Sequence, residues 1–285
     1  MALAAATADA WGISAPSFLS AYVLIAVAIG VGSRRARRAL ADPGATGPVS
    51  DLTTRPHDVA HLAGGSELAV WSALCALHVR GRITATDGSV QAIGRMDADA
   101  DPLERAVHAT ATTGAGRRRL LFHRSVQTVL SATEERLVAA GFLLSEDRRR
   151  RIRRVGLWML AVALVGLGRV LAEISQARPV GPLLAALAAV TVVALAQLTL
   201  APRRSRSGDR ALAALRVEHR ALAPEHAPDL RAHGPTGAAL GIGLFGTGAL
   251  ATAAPGFARA VDPRDARRRR TGATGLAVGG GGDGG

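Results

Sequence analysis

The sequence of 285 residues contains no lysine and no asparagine, a single cysteine and only 3% aromatic residues. Without lysine the chain has no Walker-type phosphate loop, no Schiff-base lysine and no kinase-type catalytic lysine. The lone cysteine, Cys75, excludes a disulfide framework and a cysteine-rich zinc module. The absence of asparagine excludes N-glycosylation. Several common enzyme classes are therefore removed before any motif is considered.

Apolar residues and arginine, by contrast, are abundant and lie in separate segments. Hydrophobic residues make up 48% of the chain, and the formal net charge is +13, from 35 basic residues (all arginine) and 22 acidic ones. Residues 11–33 carry no charge, and roughly 20 apolar residues are enough to cross a bilayer. Because basic residues follow this run instead of preceding it, the pattern predicts a transmembrane anchor and not a cleaved signal peptide.

Two further apolar runs, 155–173 and 180–201, predict a hairpin of two membrane spans joined by an outside turn at 174–179. The first of them contains Arg169 and Glu173, which are four residues apart and can pair on one helix face. Because this pair lies near the end of the span, we expect its side chains to snorkel to the outer headgroups rather than to serve transport.

Arginines flank the three predicted spans on one side. This set comprises Arg34, Arg35, Arg37, Arg38, Arg153, Arg154, Arg203 and Arg204. Cytoplasmic loops are enriched in basic residues close to the spans, so residues 34–154 and everything after 201 are predicted to be cytoplasmic. Residues 1–10 would then lie outside a cell (plasma) membrane, and the flanking arginines would face the lipid bilayer and its anionic headgroups.

The segments after the third span differ in composition. Residues 202–235 form an amphipathic segment, which can lie on the inner leaflet or pack on the cytoplasmic domain. Residues 236–257 are apolar but rich in glycine; we expect them at the interface or against the hairpin, with a fourth span left open. Residues 258–285 are arginine-rich and then glycine-rich, which predicts a disordered tail.

Residues 57–154, after a basic Gly/Pro linker at 34–56, predict a small cytoplasmic α+β domain. Helices at 58–63 and 66–78 precede two strands joined by Asp87-Gly88, a strong signal for a two-residue hairpin turn. Two helices followed by a hairpin are typical of a winged helix.

A second set of elements repeats this order in outline. Helices at 103–112 and 124–140 and a strand at 142–144 leave an internal duplication open. The expected fold class is therefore mainly α: a helical membrane protein with three transmembrane helices, an open fourth, and a winged-helix-like cytoplasmic domain.

Two kinds of chemistry have candidate residues. A winged helix can bind DNA, but the helix that would enter the groove, 66–79, contains no arginine, so nucleic acid is disfavoured as a partner. His57 and His61 have the i, i+4 spacing of metalloprotease ligands, with Asp58 where the base would stand. No third ligand is evident, so we interpret both histidines as surface residues and expect no metal, no cofactor and no catalytic constellation.

Several ordered stretches resemble a family of uncharacterised membrane proteins from high-G+C bacteria. They are Asp58-Val-Ala-His-Leu-Ala-Gly-Gly, Arg80-Gly-Arg, Asp101-Pro-Leu-Glu-Arg-Ala-Val and Arg178-Pro-Val-Gly, ahead of the glycine tail. The resemblance implies a leading span, a cytoplasmic helix–hairpin domain, a two-span hairpin and a low-complexity tail, but no activity. Members often have cysteines in the tail, and this chain has none.

Two short stretches, 80–83 and 135–141, are similar to the Golgi phosphoprotein-3-like adaptors. That similarity implies binding to phosphoinositide headgroups and to the cytoplasmic tails of membrane enzymes. Our hypothesis is a non-enzymatic scaffold or adaptor in the membrane, whose cytoplasmic domain binds a partner protein or anionic lipid headgroups. The alternatives are a membrane-tethered DNA-binding regulator and a metal-dependent hydrolase using His57 and His61.

Overall fold

The computed structural model describes residues 15–40, 47–97, 99–175, 181–199, 203–226, 228–229 and 231–261. The predicted outside N-terminus and most of the predicted disordered tail lie outside these residues. The described chain is mainly helical and falls into two compact units. The first unit joins Met1–Gly44 to Leu144–Arg206, and the second joins Ala45–Leu143 to Ser207–Gly285.

The described part of the chain contains twelve α-helices and a three-stranded sheet. In chain order the elements are α1 (Ala15–Leu40), α2 (Ser50–Thr53), α3 (Pro56–Val79), β1 (Ile83–Thr86), β2 (Ser89–Ala92), α4 (Pro102–Ala111), β3 (Ala115–Gly116), α5 (Arg117–Phe122), α6 (Arg124–Ala139), α7 (Glu146–Ser175), α8 (Gly181–Thr199), α9 (Arg206–Glu218), α10 (Gly234–Phe245), α11 (Thr247–Ala253) and α12 (Pro255–Val261).

The first unit consists of α1, α7 and α8. Two of its helices contain stretches long and apolar enough to cross a membrane, Ser17–Ala36 and Glu146–Ala172. Both fall on predicted spans. The apolar stretch described in α8, Gly181–Ala196, is shorter. The arginine run 148–154 continues directly into the apolar part of α7, which at 30 residues is about 45 Å long and exceeds a bilayer core of about 30 Å.

A third helix long and apolar enough to span, Pro56–Val79, is α3 in the second unit. Of its most apolar stretch, 61% is buried inside the structure, compared with 17% for α1 and 31% for α7. Its apolar character is thus explained by a place in a protein core, where a helix surrounded by other elements is hydrophobic all round. The two helices expected at 58–63 and 66–78 are confirmed as the two segments of α3, which meet at Gly65, where φ of 74° and ψ of −164° are non-helical.

The core of the second unit is built on the packing of α10 against α3. Ala238, Ile242 and their neighbours on α10 share one apolar cluster with the buried face of α3. A Cβ atom on Gly243 would lie 3.1 Å from Ala60 N and 3.2 Å from Pro56 O, tighter than most Cβ contacts, so a larger residue would push the two backbones apart by a few tenths of an ångström. The segment 236–257, expected at the interface or on the hairpin, therefore differs from expectation because α3 offers it a buried partner.

The amphipathic segment after the third span also packs in this unit. Its helix α9 buries Ala211, Leu212 and Leu215 in a second apolar cluster with Leu240 and Leu244 of α10. Of the two placements open for 202–235, the structure has α9 packed on the globular unit.

The β-hairpin is confirmed. β1 and β2 pair antiparallel with Thr86 opposite Ser89, and Asp87 and Gly88 both have positive φ, as a type I′ turn requires. A short third strand, β3, pairs with β2. Residues 142–144, expected as a strand, are not part of this sheet. Helix α12 covers the hairpin: Gly88 N donates to Ala260 O at 2.7 Å, and Phe257 stacks on His78 with ring centroids 4.0 Å apart.

The close approach at Gly243 generates a prediction with a matched control. Gly243→Ala should lower the free energy of unfolding by about 1–3 kcal/mol, because the added methyl group overpacks the α3–α10 contact. Gly248→Ala on α11, where a Cβ would meet nothing within 4 Å, should be neutral or stabilise by up to about 1 kcal/mol.

The rate at which a thiol reagent modifies Cys75 measures both effects. Cys75 is buried, and burial raises the pKa of its thiol to about 12, so the reagent modifies it only after the second unit unfolds or opens locally. Equal modification rates in the two variants would contradict the contact.

Candidate functional site

His57 and His61 lie inside the second unit and not on its surface. Pro56 occupies the first turn of α3, where a missing N–H costs nothing, and it brings both histidines onto the buried start of the helix. The interpretation as surface residues was wrong because α10 and α4 cover this turn, and neither lies near it in sequence.

His57 is the centre of a chain of polar groups, which we call the buried relay: the buried side chains of Glu104, His57 and Ser72 and the carbonyl of Ala239, with the exposed Arg80 at its outer end. Its ring contacts Ser72 Oγ through Nδ1 at 2.9 Å and Glu104 Oε1 through Nε2 at 3.2 Å. Ser72 Oγ donates to Ala239 O at 2.9 Å, and Arg80 Nε lies 3.2 Å from Glu104 Oε2. The relay joins α3, α4 and α10.

Counting donors fixes the protons of the relay. A serine hydroxyl has one hydrogen, and that of Ser72 goes to the Ala239 carbonyl. Ser72 Oγ must therefore accept from an N–H at His57 Nδ1. A proton must also lie between His57 Nε2 and Glu104 Oε1, because an imine nitrogen and a carboxylate are both acceptors.

A second buried carboxylate lies one residue further along α3. Arg136 of α6 donates from Nη2 to Asp58 Oδ1 at 3.0 Å and to Thr133 Oγ1 at 3.0 Å. Asp58 thus binds α6 to α3, and it is not held as a base beside two metal ligands.

The chemistry of the buried relay is structural. Ser72 is fully buried and its hydrogen is committed to a carbonyl, so it cannot act as a nucleophile towards a substrate. Among the described residues no three histidine, cysteine, aspartate or glutamate side chains are grouped so as to hold a metal ion. Both ring nitrogens of His57 contact protein groups, Ser72 and Glu104, so neither is directed at a metal ion.

Arg169 of α7 is fully buried in the first unit, whereas the sequence predicted snorkelling to the headgroups. Its guanidinium carbon lies 5.0 Å from the centroid of the Phe18 ring on α1. Phe18 in turn stacks on Tyr22 at 6.0 Å, and Tyr22 packs against Gly166, where a Cβ would lie 2.7 Å from its Cζ. The charge is thus covered by α1, and the side chain of its predicted partner Glu173 lies outside the described residues.

The predicted flanking arginines are mostly exposed. Arg34, Arg35, Arg153, Arg154 and Arg203 are exposed and Arg204 is half-buried, while the side chains of Arg37 and Arg38 lie outside the described residues. Solvent exposure suits groups that would face headgroups or water.

A further group of charged residues surrounds α5, and the sequence pattern did not distinguish it from the other arginine runs. Arg118, Arg119, Phe122 and His123 line an open pocket on the surface of the second unit. In the sequence, the only sign of this group is Phe122 lying between Arg119 and Arg124. Whether the Phe122 ring is exposed depends on how α5 packs, which the sequence pattern does not reveal. We call these four residues the α5 patch.

Compared with protein-family models, with curated proteins and with solved structures, the chain finds no match. The two resemblances noted in the sequence therefore stay predictions.

The buried relay predicts different costs for two substitutions of one residue. Glu104→Ala should lower the free energy of unfolding by about 3–5 kcal/mol, because it leaves the proton at the buried His57 without an acceptor. Glu104→Gln should cost only about 1–2 kcal/mol, since an amide can donate to a neutral His57 Nε2. Urea unfolding of the full chain in detergent, followed through Cys75 modification, measures both. An equal decrease in the free energy of unfolding for both variants would show that the hydrogen bond between residue 104 and His57 does not contribute to stability.

Proposed function

We propose that this chain is an integral membrane protein whose first unit lies in the bilayer and whose second unit is a cytoplasmic, non-enzymatic binding module. In this role it is a scaffold or adaptor that binds a partner protein or anionic headgroups. The observation that carries the proposal is the outward direction of large apolar side chains throughout the first unit.

These side chains are exposed to an extent that water would penalise. Leu24 on α1 is 70% exposed, Trp158 on α7 67% and Val192 on α8 65%, and each has further apolar neighbours on the same surface. Covering such a side chain is worth about 1.5–3 kcal/mol, and contiguous exposed patches of this kind mark membrane or protein contacts. A lipid environment accounts for all three helices at once.

The path of the chain supports two crossings for the α7–α8 hairpin. The second unit is left at Leu143 and re-entered at Ser207, and these two ends lie side by side: Ser207 Oγ donates to Gly141 O at 3.0 Å. Leu144 N similarly donates to Arg203 O at 3.0 Å at the base of the hairpin. A segment that leaves and rejoins one globular unit crosses a membrane an even number of times, so if α7, which is long and apolar enough to span, crosses, α8 crosses as well.

Orientation follows from the arginines at these same ends. Arg153 and Arg154 precede the apolar part of α7, and Arg203 follows α8, so basic residues occur in sequence at both ends of the segment that leaves and rejoins the second unit. The positive-inside rule then favours a cytoplasmic second unit and one crossing by α1.

The two alternative functions lose support from the same structure. The helix that would read DNA, the part of α3 after Gly65, is buried from Ala69 to Leu77 and has no face to present to a groove. A hydrolase using His57 and His61 would need both histidines open to substrate, and they lie under α4 and α10 in a core.

Cysteine labelling in cells that express the full chain tests the proposal. Gln176→Cys, in the predicted outside turn, should react with a membrane-impermeant maleimide in intact cells. Val217→Cys on α9, where the native side chain is 74% exposed, should react only after permeabilisation. The native chain is the control and should stay unlabelled in both conditions, because Cys75 is buried.

Two outcomes would contradict the proposal. One is release of the chain from membranes by an alkaline carbonate wash, which would exclude a spanning first unit. The other is labelling of Val217→Cys in intact cells, which would place the second unit outside.

A further inference from the structure

We propose that the α5 patch is a docking site for the phosphate groups of an anionic bilayer surface, with Phe122 inserted among the lipids. The proposal rests on membrane anchorage of the chain and assigns the ligand-binding residues of its second unit. Its premise is that α5 presents an apolar ring and free guanidinium groups on one rigid surface.

Helix α5 is fixed to the second unit by its inward side. Leu120 is fully buried in the main apolar cluster. Arg117 forms an ion pair with Glu67 of α3 and lies over the Trp71 ring at 5.2 Å, which satisfies its charge locally. The opposite side of α5 is therefore held in place, and among the described residues its Arg118, Arg119 and Phe122 side chains are left exposed.

Phe122 is 73% exposed at the end of this helix. The two residues before it, Leu120 and Leu121, are buried and half-buried. Helix α5 therefore packs its leucines against the core while the phenyl ring stays in solvent. Burying a phenylalanine is worth about as much as burying a leucine. The exposed ring at the end of this rigid helix can therefore still gain this free energy by contact with an apolar partner.

Arg118 and Arg119 line the same pocket as the ring, Arg124 follows it two residues later in the chain, and all three arginines are exposed. Within the described parts of the chain none of them forms an ion pair, in contrast to Arg117. Guanidinium groups bind phosphate through paired N–H donors, and an anionic bilayer presents many such groups in a plane.

His123 completes the pocket with a fixed ring. Its Nδ1 lies 2.9 Å from Ser125 Oγ and 3.2 Å from Thr110 Oγ1, and Thr110 donates to Ala106 O at 2.8 Å. Both polar partners lie on the Nδ1 side, so the Nε2 side of the ring is left for a ligand in the open pocket.

A bilayer surface satisfies both features of the patch, whereas other anions satisfy one. A soluble phosphate ester would pair with the arginines and leave Phe122 in water. Duplex DNA would pair with them but has no unstacked base for the ring. Aromatic side chains flanked by basic ones suit the boundary between headgroups and acyl chains.

Covalent connection favours this occupant as well. The two helices following Phe122 are α6 and then α7, which belongs to the first unit, so the patch is tethered to the proposed membrane segment. A tether raises the effective concentration of headgroups and lets a weak contact be occupied.

The test uses the full chain in nanodiscs and an environment-sensitive NBD label on Phe122→Cys, since Cys75 is buried and does not compete. Discs of phosphatidylcholine alone are compared with discs containing about 30% phosphatidylglycerol. We expect a blue shift and an increase of NBD emission only in the anionic discs, lost when high salt screens the charges. The same label on Val217→Cys, equally exposed but outside the patch, should not respond.

A pair of charge-matched variants isolates the patch. Arg118→Gln with Arg119→Gln should reduce the lipid-dependent rise to roughly a tenth or less. Arg95→Gln with Arg105→Gln, two exposed arginines elsewhere on the second unit, removes the same charge and should leave the rise within about twofold. Protection of Cys75 in every variant confirms that the second unit remains folded.

Three results would overturn the inference: equal emission in the two kinds of disc, an unchanged rise in the Arg118/Arg119 variant, or an equal response in neutral discs to glycerol phosphate or a single-stranded oligonucleotide. The last would assign the patch to a soluble phosphate or to nucleic acid. Failure of the chain to enter discs at all would instead contradict the proposed membrane anchorage, so the two proposals fail separately.

Discussion

The packing of α10 on α3 is the contact on which the rest of the molecule depends. In sequence, α3 precedes and α10 follows the segment 144–206 of the first unit, and their backbones approach so closely at Gly243 that a larger residue would push them apart. The second unit can therefore close only if the chain returns to the point where it left. Both ends of the α7–α8 segment thus connect to the second unit, and α9 to α12 belong to the same globular unit as α3 to α6.

A buried hydrogen bond helps to set the register of this contact. The facing surfaces of α10 are made of glycine, alanine, leucine and isoleucine, which pack well in several alignments, whereas Ser72 Oγ donates to Ala239 O in this one. Since an unsatisfied buried hydroxyl is costly, this bond disfavours alignments that move the Ala239 carbonyl away from Ser72, while the Glu104–His57 contact holds α4 on α3. The same logic explains why a serine, a histidine and a carboxylate lie in hydrogen-bonding distance without forming a catalytic site.

The sequence predicted the elements whose signals are local. The hairpin at Asp87-Gly88 needed only the turn chemistry of two residues, and the apolar runs of α1 and α7 needed only length and hydropathy. Burial of His57 and His61, by contrast, depends on α10, a partner from far along the chain that no pattern near the histidines reveals. The prediction for the segment 236–257 was wrong for the same reason, because the sequence of a glycine-rich apolar helix is similar whether the helix lies in a membrane or in a protein core. Exposure of Phe122 was equally hidden, since it depends on which side of α5 Leu120 buries.

Hydrogen–deuterium exchange of the full chain tests the α3–α10 closure most directly. We expect the amides of Pro56–Val79 and Gly234–Phe245 to exchange slowly and at a common rate, because both helices open only when the second unit opens. Gly243→Ala should accelerate both together. Rapid exchange of α10 beside a protected α3, or acceleration of α10 alone, would contradict a second unit built from both sides of the hairpin.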